Sequence, residues 1–161
     1  MPDPDWSAII TGIHTGDVIP YLGPDALDGA VDPATGAPIP ADSDSLILAM
    51  NNGNPMAPRL MYEFPRAAMN QELKRGRSFV NRFLTDLYGQ REWTRAPLHE
   101  WLGQLKPPYV IDINRDTQLQ HAYRDTPHTL VVGVARVGGT DYRFRVFGYV
   151  GAQYREIDQD V

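Results

Sequence analysis

Ile19-Pro20-Tyr21-Leu22-Gly23-Pro24-Asp25-Ala26-Leu27 and Val110-Ile111-Asp112-Ile113-Asn114-Arg115-Asp116 decide how this chain is read. Each is a short apolar run that breaks at a glycine or polar turn and leads into helix-forming sequence. In a doubly wound sheet, nucleotides dock at the carboxyl ends of the strands. A helix starting there offers free amides and the positive end of its dipole to phosphate. Two such turns on neighbouring strands frame a dinucleotide pocket.

Around these turns the chain alternates helix and strand. Trp6, Ile9, Ile10 and Ile13 have helical spacing, and Gly16-Asp17 ends the run. Val18–Leu22 is a short strand, placed toward an edge because Pro20 has no amide to give a ladder. Residues 23–58 read as a long Gly-, Pro- and Asp-rich loop region, with a helical turn near Asp25–Asp28 and a helical pattern from Ser45. Residues 59–105 form a helical block. In it, helix from Pro58 to Leu73 restarts at Pro65, and Arg77–Tyr88 is amphipathic up to Gly89. A last helix opens at Pro97, with Leu98, Trp101, Leu102 and Leu105 on one face.

Beyond that block, Tyr109–Ile113 is a strand, Thr117–Tyr123 a helix and Thr129–Ala135 the most apolar strand. Gly138-Gly139 reads as a hairpin turn returning through Tyr142–Tyr149, and a turn at Gly151 lets Gln153–Ile157 pair as a third strand.

Composition limits the chemistry. The 161 residues include no cysteine, which excludes disulfides, thiolate metal sites and a cysteine nucleophile. No apolar stretch is long enough for a membrane span, and the acidic start Met1-Pro2-Asp3-Pro4-Asp5 lacks the basic region of a secretory signal. A cytoplasmic protein with no membrane partner is the expectation. The net charge of −5 disfavours a general nucleic-acid binder. Residues 1–58 hold eight Asp and no Lys or Arg, whereas residues 59–95 hold eight basic residues against four acidic ones. The run Lys74-Arg75-Gly76-Arg77, with Arg66 and Arg82, reads as a solvated face or as a contact for an anion or partner. Nearby Tyr62, Phe64, Phe79 and Phe83 have helical spacing and read as core.

The order of these pieces resembles the sirtuin-like family over residues 18–149. The matching segments are Leu22-Gly23-Pro24-Asp25-Ala26, Gly36-Ala37-Pro38, Pro97-Leu98-His99-Glu100-Trp101-Leu102, Ile113-Asn114-Arg115-Asp116 and Arg145-Val146-Phe147-Gly148. The resemblance implies an α/β fold: a small Rossmann-like, mostly parallel sheet with flanking helices and a C-terminal antiparallel hairpin, as a single domain over 1–161. It also implies a binding role for NAD or ADP-ribose. Gly23, Pro24, Asp25 and Ala26 would lie at the pyrophosphate. Asn114, with Asp116, would hold the nicotinamide ribose and, in members that cleave NAD, position a water.

Three departures from the family pattern point to a catalytically degenerate, truncated member. Asp25 occupies the second glycine position, where its carboxylate repels a pyrophosphate and its side chain blocks close approach. Leu27 replaces a small hydroxyl residue. Phe147 stands at the catalytic histidine position and cannot accept a proton. The chain also ends before the family's later adenosine-side strands. The expected function is therefore a non-catalytic nucleotide- or partner-binding domain in a regulatory or assembly role. A NAD glycohydrolase using Asn114 is the first alternative, and a plain protein-interaction domain the second. An exposed sheet edge would favour a homodimer or protein partner.

Each singled-out residue also has a plain structural reading. Gly23 suits any turn, Asn114 and Asp116 suit helix caps, and Thr117 with Gln120 suits a capping box. His99 beside Trp101 reads as structural, His121 as exposed, and His14 has no partner in the pattern. His128 after Pro127 is the candidate for a relocated base. No histidine pair has metal-ligand spacing, so no metal is expected.

Overall fold

The computed structural model describes residues 3–133 and 144–157. It is a mixed α/β chain dividing into two compact units, Met1–Leu119 and Gln120–Val161. None of the helices among the described residues is long and apolar enough to cross a membrane.

The first unit opens with α1, Trp6–Thr15. The Asp5 carboxylate accepts the Ala8 amide at 3.0 Å to start it, and Gly16 ends it in the left-handed conformation. Strand β1, Tyr21–Leu22, is shorter than the apolar run because the chain turns at once into a 3-10 turn, Pro24–Leu27. The following segment is no open loop. Ile39 donates to the Ala30 carbonyl, Asp32 to that of Ala37 and Gly36 to that of Asp32, closing a turn with Gly36 at φ +71°. Helix α2, Ser43–Met50, begins on the Asp42 carboxylate, which accepts the Ser45 amide at 2.9 Å.

Pro58 heads α3, Pro58–Met61, and Pro65 lies in the first turn of α4, Phe64–Arg75. The break falls ahead of Pro65 because a first-turn proline lacks only an amide that has no helical partner anyway. Tyr62, expected in the core, sits at this break and is 79% exposed. Helix α5, Ser78–Leu84, widens into a π-helical turn over Thr85–Gln90. Leu87 and Tyr88 in this turn are both buried in the core. The main core packs Leu46, Ile47 and Met50 of α2 against Phe64 and Ala67 of α4 and against Val80.

Helix α6, Pro97–Leu105, keeps only part of its expected face: Leu102 is buried as expected. His99 and Leu102 point inward, while Leu98 and Trp101 are 39% and 38% exposed. At the entry to the helix, Gln118 Nε2 donates to the Thr94 carbonyl at 2.9 Å and its Oε1 accepts the Ala96 amide at 3.4 Å. Strand β2, Ile111–Asp112, pairs in parallel with β1. A smaller core of Leu22, Ala26 and Leu102 lies beside this pair. Burying each leucine stabilises by about 1.5–3 kcal/mol.

Helix α7, Gln118–Ala122, leads to β3, His128–Gly133, β4, Phe144–Val150, and β5, Gln153–Glu156. These form an antiparallel sheet in the order β3-β4-β5, with the tight turn at Gly151 as expected. Among the described residues the sheet is separate from the parallel pair, so the C-terminal strands do not extend it. None of its strand residues is buried, and Val131 is 57% exposed. The hairpin turn expected at Gly138-Gly139 lies outside the described residues.

Candidate functional site

The two turns meet at one end of the parallel pair. Tyr21 pairs with Ile111 and Leu22 with Asp112. Ile111 donates its amide to the Pro20 carbonyl at 2.9 Å, and Ile113 to that of Leu22 at 3.2 Å. Pro20 thus contributes a carbonyl only, and its missing amide costs this ladder nothing. Past the strand ends, Asn114 Nδ2 donates to the Gly23 carbonyl at 2.9 Å. That same carbonyl accepts the Ala26 amide at 3.0 Å, closing the 3-10 turn.

Gly23 has φ −109° and ψ −170°, an extended conformation open to any residue. A Cβ built there meets nothing within 4 Å. Neither backbone strain nor packing in this chain demands glycine at the position. Open space over the backbone, at the carboxyl end of a parallel pair, is what close approach of a ligand uses. Pro24 and Asp25 are exposed and Ala26 is buried. The helices at the two turns are short, four residues of 3-10 helix and five of α7. A dipole argument for phosphate therefore weakens here, since few peptide units align.

The second turn is built by carboxylates. Asp112 Oδ1 accepts the Asn114 amide at 2.9 Å, and Asp116 Oδ1 accepts the Gln118 amide at 2.7 Å. Asp116 closes a turn just ahead of α7 by accepting the Gln118 amide, and the Asn114 side chain reaches across to Gly23 instead of capping a helix. Thr117 makes no capping box with Gln120; its hydroxyl donates to the Tyr88 carbonyl at 3.5 Å.

Asp116 is 7% exposed, and its second oxygen, Oδ2, is buried without a hydrogen-bond partner. Burial pushes this carboxyl up from the usual range. The Gln118 amide pulls it down, the Asp112 charge pushes it up again, and His99 pulls it down. His99 is fully buried with neither ring nitrogen hydrogen-bonded. Both residues thus carry buried polar atoms without a hydrogen-bond partner.

His128 and Phe147 belong to the other unit. His128 Nδ1 lies 2.7 Å from the Thr126 carbonyl and Nε2 lies 2.8 Å from the Tyr154 hydroxyl. In the neutral ring Nδ1–H donates to the carbonyl, so Nε2 accepts the tyrosine proton. The ring also stacks on Tyr149 at 4.7 Å between centroids. Both nitrogens are committed within that cluster, which leaves no free nitrogen for a relocated base. Phe147 pairs with Leu130 and Glu156, and the Arg145 guanidinium lies 5.0 Å from its ring centroid.

The basic residues Arg66, Lys74, Arg75, Arg77 and Arg82 are all exposed. Arg66 pairs with Glu63 at 3.6 Å and Arg75 lies over Phe79 at 4.7 Å. Among the described residues, no three His, Asp or Glu side chains converge as a metal requires.

Sequence reasoning missed Gln118, which ties the Asn114–Asp116 turn to the entry of α6 and is 7% exposed. The available signal was an amide side chain two residues past a candidate cap. No family model, curated protein or solved structure matches this chain.

Proposed function

We propose that the chain is a non-catalytic sirtuin-like domain of Rossmann-like descent whose Gly23 and Asn114 turns bind a nucleotide of the NAD or ADP-ribose type in a regulatory or assembly role. The observation carrying this reading is the Asn114–Gly23 hydrogen bond, which joins the two turns at the carboxyl end of the parallel pair. Gly23 supports it further, because nothing in the chain requires glycine there.

In this reading the open backbone at Gly23 faces the pyrophosphate, and the remaining acceptor, Asn114 Oδ1, faces a ribose hydroxyl. Asp25 opposes the phosphate and limits affinity. Asp116 holds the turn through Gln118 and is too buried to serve as an open ligand group.

Calorimetric titration of the intact chain with ADP-ribose and with NAD tests the reading. Saturable heat is expected with the wild type, weakened about tenfold or more in Asn114→Ala, the loss of one or two ligand-facing hydrogen bonds. No heat with either nucleotide overturns the nucleotide reading and leaves protein interaction. Nicotinamide release from NAD that disappears in Asn114→Ala would instead establish the glycohydrolase.

A further inference from the structure

Two helices of the first unit carry apolar stripes that the described residues leave largely uncovered. On α1, Trp6, Ile9, Ile10 and Ile13 follow the i, i+3, i+4, i+7 rule of a helix built to pack on another element. Only Ile13 is buried, while Trp6 is 64% exposed. On α4, Phe64, Ala67, Ala68 and Gln71 face the core. Helical geometry puts Arg66, Met69 and Leu73 on the opposite side, where Met69 is 59% and Leu73 81% exposed. A single exposed apolar residue is ordinary, but a stripe of them at helical spacing is what one helix offers another.

The two stripes are flanked by opposite charge. Helix α1 lies in the segment without Lys or Arg, and the exposed Asp3, Asp5 and Asp17 bracket its stripe. Around the outer side of α4 stand Arg66, Lys74, Arg75 and Arg77, all exposed. Glu63 pairs with Arg66 at 3.6 Å and Glu72 is half-buried, so the positive excess lies at the C-terminal end of α4. The Asp3–Asp5 end of α1 thus matches the Lys74–Arg77 end of α4, which sets the helices antiparallel. That orientation also brings the positive end of one helix dipole to the negative end of the other. The lengths agree: ten and twelve residues give helices of about 15 and about 18 Å.

We propose that the chain associates with a second copy of itself head to tail, α1 of one copy seating Trp6 and Ile10 antiparallel on the Met69–Leu73 face of α4 of the other. Both stripes are exposed within one chain, so the match is made between copies. An α1–α1 contact sets Asp against Asp, and an α4–α4 contact sets Arg and Lys against each other, so charge selects the heterologous pairing. A head-to-tail contact leaves one stripe open at each end and continues into a ring or a chain of copies. The inference does not rest on the nucleotide reading, because neither helix contributes Gly23 or Asn114.

The test is sedimentation velocity of the intact chain from micromolar to millimolar concentration, at about 0.05 M and about 0.5 M salt. The wild type is expected to grow in mass with concentration at the lower salt. Association should weaken about tenfold at the higher salt, where screening removes the charge match. Trp6→Ala removes the anchor of one stripe and Leu73→Asp places a charge in the other; each should weaken self-association about tenfold or more. Both positions are exposed, so the fold stays intact. Mixed together, the two variants supply one intact α1 and one intact α4, and should form a 1:1 pair that grows no further. A wild type that stays monomeric at millimolar concentration and low salt overturns the proposal, whatever the variants do. So does association that persists unchanged in either variant, that strengthens with salt, or that the mixture fails to restore.

Discussion

Asn114 Nδ2 lies 2.9 Å from the Gly23 carbonyl oxygen, bridging residues ninety-one positions apart in the chain. The bond ties the ends of two strands that pair over only two residues each, and so supplies tertiary order that the short ladder does not. Asn114→Ala should lower stability by about 0.5–1.5 kcal/mol, the ordinary net worth of one hydrogen bond. Asn114→Asp should cost more, because a carboxylate oxygen then faces a carbonyl oxygen. Urea denaturation of the three proteins, compared at equal slope, measures both.

Gln118 is the less visible support. Its side chain satisfies the Thr94 carbonyl and the Ala96 amide, and Ala96 is fully buried. Gln118→Leu fills similar volume and leaves both backbone groups unpaired. A loss of roughly 1–3 kcal/mol is expected, with accelerated amide exchange at Ala96. Unchanged exchange at Ala96 would count against Gln118 as the tie between the turn and α6.

Asp42 gives a pH dependence with a definite sign. The Ser45 amide and hydroxyl bond its carboxylate and hold the acid below the usual range, with burial opposing them. A carboxyl depressed in the folded state stabilises fully above its unfolded value and loses that contribution as pH falls through the folded one. Asp42→Ala should cost about 1 kcal/mol at neutral pH and far less at strongly acid pH. Thermal unfolding at neutral pH and at low pH checks the difference.

Asp116 carries the opposite sign. Burial raises its carboxyl, so the folded state favours the protonated form. Its contribution is full below the unfolded value and is lost as pH climbs through the folded one. Asp116→Asn should therefore reduce the decline in stability across that window, while its amide oxygen still accepts the Gln118 amide. Equilibrium unfolding in steps from acid to neutral pH reads the change in slope.

Asp25 is exposed and lies two residues past Gly23. If a pyrophosphate docks at that turn, Asp25→Gly removes a repelling charge and opens the approach. ADP-ribose affinity should rise several-fold in about 0.1 M salt, and by more at lower ionic strength. An affinity indifferent to both the substitution and salt would place the phosphate elsewhere.

The sequence revealed the parts of this arrangement more readily than their contacts. Apolar runs broken by Gly23 and Asn114 located both turns, and the spacing around Gly151 located β5 and its pairing with β4. Strand lengths were overread because apolar character continues past the residues that actually pair: Val18 and Ile19 lie outside β1 and are exposed. The face of α6 was legible only in part. Periodicity marks which residues share a side: Leu102 is buried as expected, but His99 is buried with it while Trp101 is 38% exposed. The π-helical turn at Thr85–Gln90 leaves no signature in the amphipathic pattern, which puts Leu87 and Tyr88 on the buried face either way. A bond between residues as distant as Asn114 and Gly23 depends on the fold itself, not on local propensity.

Backbone and side-chain amide shifts of the isotopically labelled chain, recorded during titration with ADP-ribose, bear on the nucleotide reading residue by residue. Saturable movement concentrated at Gly23, Ala26 and the Asn114 side chain, and absent from β3–β5, is the expected result. Shifts confined to the other unit, or none at millimolar nucleotide, would contradict it.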